Sequence, residues 1–138
     1  MNNPIIIAVD AMGGDNSPDK VIEGISIHSK ETTDINYQVF GDSNLIKPLI
    51  DRYKIFLDRI KIIHTDNFVH GEDTALSAAK RGKDTSLWLS VESVKNNNAD
   101  ALVSAGNTGA LFVIAKLNLK MINNIDKPAL SALWPNRK

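Results

Sequence analysis

The chain has 138 residues, about the size of one modest domain, and its 16 Lys+Arg balance 16 Asp+Glu to a formal net charge of zero. That balance argues against the basic footprint of a nucleic-acid-binding protein, and the lack of cysteine excludes disulfides, thiolate catalysis and Cys-ligated metal. No apolar run approaches the roughly 18 residues of a membrane span and no cationic leader precedes the first apolar run, so a soluble, cytoplasmic protein is expected.

Residues 4–9 are a continuous apolar run of the kind found in strands buried on both faces. The loop Asp10-Ala11-Met12-Gly13-Gly14-Asp15-Asn16 breaks it. Ser17 ahead of Pro18 fits an N-cap followed by proline at the first helical position, and Val21, Ile22, Ile25 and His28 extend the pattern to a helix over 17–30. Residues 35–40 alternate as a second strand ending at Gly41-Asp42. Leu45, Ile46, Leu49, Ile50 and Tyr53 predict a second helix, against which Pro48 counts unless it starts the helix proper. A third strand follows at 60–64, a short helix at 73–81, and a longer one over 84–95 capped by Asp84 or Thr85. Residues 99–103 read as a fourth strand, 107–122 as a long helical stretch, and 129–133 as a fifth strand.

Strands alternating with helices predict βαβ units, hence an α/β fold with a mainly parallel sheet between two helical layers. No linker divides the chain, so residues 1–138 are expected to form a single domain. The last strand has no helix after it to cover its apolar face, which leads to the expectation that the chain is part of a longer protein.

In an open parallel sheet, ligands bind beyond the carboxyl ends of the strands, where helix N-termini converge. Two glycine-marked segments occupy such positions. In the first, Gly13 and Gly14 permit close backbone approach to a ligand, while Asp10 and Asp15 could orient a substrate group or hold a cation; a tight turn accounts for the same residues equally well. The second is Ser104-Ala105-Gly106-Asn107-Thr108-Gly109-Ala110. Small residues, two glycines and three hydrogen-bonding side chains at a strand-to-helix turn suit an oxyanion, with phosphate the natural ligand. Neither the Walker pattern nor a dinucleotide fingerprint is present. Between them, residues 71–86 mix charge with hydroxyls, the usual pattern of a solvated helix face, yet they follow the third strand at the same sheet edge, where Lys80 or Lys83 could offset an anion and Ser86 could add a donor.

The three histidines form no metal pair. His28 reads as a boundary residue, His64 as a satisfied core-edge imidazole, and His70 as the histidine to test as a general base. Trp88 and Trp134 read as packing residues.

Taken together, Ala8-Val9-Asp10-Ala11-Met12-Gly13-Gly14-Asp15 and Val103-Ser104-Ala105-Gly106-Asn107-Thr108-Gly109-Ala110-Leu111 strongly resemble the PlsX-type phosphate acyltransferases of bacterial phospholipid synthesis. Lys83, Thr85 and Ser86 ahead of a helix agree with that pattern, Thr85 standing where serine is usual, and Asp126-Lys127-Pro128-Ala129-Leu130 is similar to the family's Pro-Ala-Leu strand entry. The resemblance covers all 138 residues, of a family whose members are more than twice as long.

It implies a three-layer α/β/α fold of the isocitrate/isopropylmalate dehydrogenase type, usually a homodimer. It implies reversible transfer of an acyl group from acyl carrier protein to inorganic phosphate, the acyl phosphate passing to a glycerol-3-phosphate acyltransferase, with no cofactor and no metal. Asp10, Asp15, Lys83 and Asn107 are then the expected catalytic residues. Gly13, Gly14, Ser86, Ser104, Gly106, Thr108 and Gly109 are the expected phosphate-binding residues. An acyl-chain groove, much of the dimer interface and any peripheral contact with the inner face of the membrane are expected after residue 138, and the present residues are expected not to turn over alone. Two alternatives stand beside this: a phosphotransacetylase-like enzyme acting on acyl-CoA, and a non-catalytic anion-binding fragment of a disrupted gene.

Overall fold

In the computed structural model, which describes residues 4–135, four strands and five α-helices alternate. In chain order they are β1 (Ile5–Asp10), α1 (Asp19–Glu31), β2 (Ile35–Gly41), α2 (Ser43–Tyr53), β3 (Ile60–His64), α3 (Ala75–Arg81), α4 (Ser86–Lys95), β4 (Ala101–Ser104) and α5 (Thr108–Asn118). The sheet is parallel throughout, in the order β3-β2-β1-β4. Successive strands are laid down in one direction from β1, and β4 then returns to β1's other side. That reversal is a topological switch point between β1 and β4, where Asp10 lies opposite Ser104 in the ladder.

Alternation along each strand divides the core between two faces. Val9 and Ala11 of the β1 segment and Tyr37 and Val39 of β2 meet Ile22 and Ile25 of α1 and Ile46, Leu49 and Ile50 of α2. Ala8 and Phe40 point the other way, against Leu89 and Val94 of α4. On that second side Ala78, Leu87, Trp88, Val91, Ala110 and Ile114 join α3, α4 and α5. The expected three layers are therefore present.

Several expectations are corrected. Ser17 does not cap α1; its hydroxyl donates to the Gly13 carbonyl (2.5 Å), and Pro18 occupies the cap position without a side-chain bond. α2 begins at Ser43 under an Asp42 cap and runs through Pro48, which is exposed together with Asn44, the residue whose carbonyl loses its helical partner to the proline. That carbonyl lies on the solvent side, where water can replace the missing N–H.

α5 ends at Asn118 rather than 122. Residues 129–133 form no strand: a strand persists only when its backbone groups find a ladder partner, and none of the described strands pairs with them. Trp88 packs as expected, but Trp134 is 90% exposed. Among the described residues no helix is long and apolar enough to cross a membrane.

Side-chain pairs brace α1 internally and tie it to α2. Lys20 is hydrogen-bonded to Glu23 at 2.8 Å, which raises the ammonium's pKa, and Tyr53 donates to Asp19 at 2.9 Å, which raises the phenol's. Gly24, in the middle of the same helix, has no left-handed φ and no atom within 4 Å of the position a Cβ would take. Gly24→Ala is therefore expected to stabilise the chain by about 1 kcal/mol, the helix-propensity difference. Urea denaturation checks this, and an unchanged midpoint would contradict it.

Candidate functional site

β1 delivers Asp10 to the carboxyl end of the sheet, 3% exposed, and both of its oxygens are occupied. Oδ1 accepts the Ser86 hydroxyl at 2.7 Å and the Met12 N–H at 3.3 Å, and Oδ2 accepts the Ser104 hydroxyl at 2.8 Å. Ser104 Oγ in turn accepts the Gly106 N–H at 3.2 Å. One carboxylate thus links the end of β1, the first residue of α4 and the loop after β4.

The two glycine loops lie backbone against backbone over this group. A Cβ on Gly13 would fall 2.6 Å from Asp10 Oδ2 and 3.0 Å from the Gly106 Cα. Gly14 has φ +96°, and a Cβ there would lie 2.7 Å from the Ala105 carbonyl oxygen. Contact between the loops requires glycine at both positions, and at Gly14 the positive φ adds to that requirement.

Asn107 caps α5, accepting the Ala110 N–H on Oδ1 at 2.9 Å. Its Nδ2 donates to the carbonyls of Gly71 (3.0 Å) and Asp73 (2.8 Å). Both amide hydrogens are therefore committed, and the side chain works as a staple between α5 and the segment after β3. The same segment is braced by the Asp73 carboxylate, which accepts the His70 N–H at 2.8 Å and pairs with Arg81. At its start, Asn67 Nδ2 donates to Asp84 Oδ2 at 2.6 Å, while the Asn67 carbonyl accepts the Ser86 N–H at 2.9 Å.

Between these loops lies a polar pocket of about 650 Å³, lined by Met12, Gly14, Asp15, residues 68–71 and residues 105–109. Of the sequence-predicted residues, Gly14, Asp15, Gly106, Asn107, Thr108 and Gly109 form its wall. Asp10, Gly13, Ser86 and Ser104 lie behind that wall as its support. Lys83 and Lys80 are exposed and line it nowhere, since Lys83 sits on the turn before α4 and Lys80 in the last turn of α3. The Asn107 O–Leu111 N–H bond and the Asn107 side chain serve two of α5's four opening amides. Among the described residues the N–H groups of Thr108 and Gly109 find no protein acceptor, so they and the helix dipole are the pocket's positive character.

Of the wall formed by Phe68, Val69, His70 and Gly71, the sequence singled out His70 and the run that begins at Gly71 but not Phe68 or Val69; the His70 ring lies 4.4 Å from that of Phe68. The wall's one available signal is position, immediately after a parallel strand. A second, apolar cleft of about 450 Å³ runs beside α1, lined among others by Val21, Gly24, Ile25 and Val103, and it adjoins the polar pocket at Asp15 and Ala105. Elsewhere Asp42, His64 and Asp66 cluster at the ends of β2 and β3. Asp42 caps α2 there, and His64 Nδ1 accepts the Ser43 N–H at 3.1 Å.

Residues 5–138 match the family described as "Fatty acid synthesis protein". The chain is 58% identical over 138 residues to a protein of Pelagibacter ubique (strain HTCC1062) named "Phosphate acyltransferase", covering all of this chain and 41% of that protein. Proteins of the same name from Parvibaculum lavamentivorans (44% over 139 residues) and Azorhizobium caulinodans (42% over 136 residues) are matched over 100% and 98% of this chain and 38% of their own length. The chain spans about two fifths of the curated relatives it matches.

Proposed function

The chain belongs to the fatty acid synthesis protein family, and from that premise we propose that it carries the phosphate site of an acyltransferase that forms acyl phosphate from acyl-[acyl-carrier-protein] and inorganic phosphate. The observation that carries the reading is the polar pocket at the β1/β4 switch point, walled by glycine backbone and by the free amides at the start of α5. Backbone N–H groups and a helix N-terminus bind an oxyanion without any particular side chain.

Phosphate held there has one oxygen free to attack the thioester carbonyl. The P–O–H oxygen forms the new C–O bond, the C–S bond breaks, and the phosphate proton ends on the departing thiol. Protonation and charge balance without a protein nucleophile, and the reverse reaction retraces the same path. In this scheme the backbone N–H groups beside Gly14 stabilise the tetrahedral oxyanion, with Gly13 behind them as support, and Asp15 at the rim orients the incoming acyl donor. Lys83 and Asn107 take no direct part in this scheme, because one lines no part of the pocket and the other has its amide hydrogens committed. The working enzyme is a cytoplasmic homodimer that contacts the membrane peripherally and hands its product to a glycerol-3-phosphate acyltransferase.

Thr108 is the first helical residue of α5, where proline is tolerated, and Asn107 ahead of it already has extended geometry (φ −64°, ψ 111°). Thr108→Pro therefore removes one pocket N–H while leaving the helix intact. Millimolar phosphate is expected to raise the melting temperature of the wild-type chain, chloride at matched ionic strength is not, and Thr108→Pro should lose most of that rise. A full phosphate response in the variant would remove α5 from the site.

A further inference from the structure

The reaction scheme leaves the site's most buried ionisable side chain without a role. Asp10 is buried and lines no part of the polar pocket, bordering only the apolar cleft beside α1. Burying a carboxylate is costly, yet among the described residues no cation pairs with Asp10; its partners are two hydroxyls and one backbone N–H.

The Ser104 hydroxyl has one hydrogen. Given to Asp10 Oδ2, it leaves the oxygen's lone pairs for the Gly106 N–H. Without the carboxylate that hydrogen is free to turn toward Gly106, donor against donor. On the other side, Ser86 reaches Asp10 Oδ1 from the first residue of α4, which the Asn67 carbonyl holds by its N–H. We infer that Asp10 is a positioning residue: through Ser104 it fixes the Gly106 backbone, and through Ser86 it registers α4 against the same loop, so the phosphate-binding wall is shaped by a carboxylate that never touches phosphate. This rests on the reading of the pocket as a phosphate site.

The test is a phosphate titration of the chain followed by amide NMR, with Asp10→Asn, Ser104→Ala, their double variant and Ile50→Val, a conservative core change remote from the loops. Asp10→Asn and Ser104→Ala should each weaken phosphate binding about tenfold, the size of one lost hydrogen bond. Both should move the Gly106 amide resonance and speed its hydrogen exchange. The double variant should be no weaker than the worse single, because both act along one chain of contacts. Ile50→Val should leave affinity and the Gly106 amide unchanged.

Folded variants with wild-type affinity and an unmoved Gly106 amide, or strictly additive losses in the double variant, would overturn the inference. Should Asp10→Asn fail to fold, Ser104→Ala decides it alone. If the wild-type chain ignores phosphate, the phosphate reading falls, and the positioning role is then judged by Gly106 exchange in the variants.

Discussion

Gly13→Ala is expected to cost about 3 kcal/mol of stability and to abolish the response to phosphate. The added methyl would meet Asp10 Oδ2 at 2.6 Å, Ser104 Oγ at 2.9 Å and the Gly106 Cα at 3.0 Å. None of these can step aside cheaply, since Asp10 and Ser104 hold each other and Gly106 is backbone. Relief requires separating the two loops, which adds broken buried hydrogen bonds to the overpacking penalty. Urea denaturation beside Gly24→Ala makes the comparison direct, because the same methyl should have opposite signs at two glycines 11 positions apart in the chain. A Gly13→Ala protein as stable as wild type would mean that the loops do not meet as described.

The second large effect is expected at Asn107. Removing its side chain in Asn107→Ala takes away an N-cap, typically worth about 1 kcal/mol, and strips two carbonyls, those of Gly71 and Asp73, of their donor. A combined loss of about 2–3 kcal/mol follows. Asn107→Asp separates the parts: a carboxylate still caps α5, but it donates nothing and places negative charge against two carbonyl oxygens. Hydrogen exchange should therefore accelerate across residues 68–73 in both variants, and at the start of α5 mainly in Asn107→Ala. Phosphate binding should weaken in both because the opposite wall loosens. Unchanged exchange in the 68–73 segment would show that the staple does not hold it.

Local burial and long-range contact leave different traces in a sequence. Apolar runs and helical spacing were legible because they report burial on one face, a local property; thus β1, β2 and β3 and the helices appear within a few residues of their predicted spans. The paired loops were legible because backbone contact and strand-to-helix turns demand glycine and small residues. The role of Asn107 was not legible, since an amide that binds a ligand and one that staples carbonyls 34 and 36 positions away look the same in sequence. Lys83 stands close to a motif in sequence but lines no part of the pocket, because proximity in sequence says nothing about the direction in which a turn projects. Ser17 has the right chemistry for a cap, but α1 starts one residue further on, with Pro18 at the cap position, and the Ser17 hydroxyl donates to the Gly13 carbonyl instead. The fifth strand failed because alternation describes a surface that could pair, while pairing itself requires a neighbour.

Asp10 and Ser104 are separated by 94 positions, although they are direct neighbours in the sheet. β1 and β2 can pair once a short stretch of chain exists, whereas the other edge of β1 has to wait for β4. At about 5–20 residues per second of synthesis, roughly 5–20 s pass between the appearance of the carboxylate and that of the hydroxyl that completes its shell. Closing so long a loop also comes late in refolding, after the local βα units have formed. During that interval the nascent chain has an open strand edge and a carboxylate still in water. The central strand is thus made well before the pocket built on it can close.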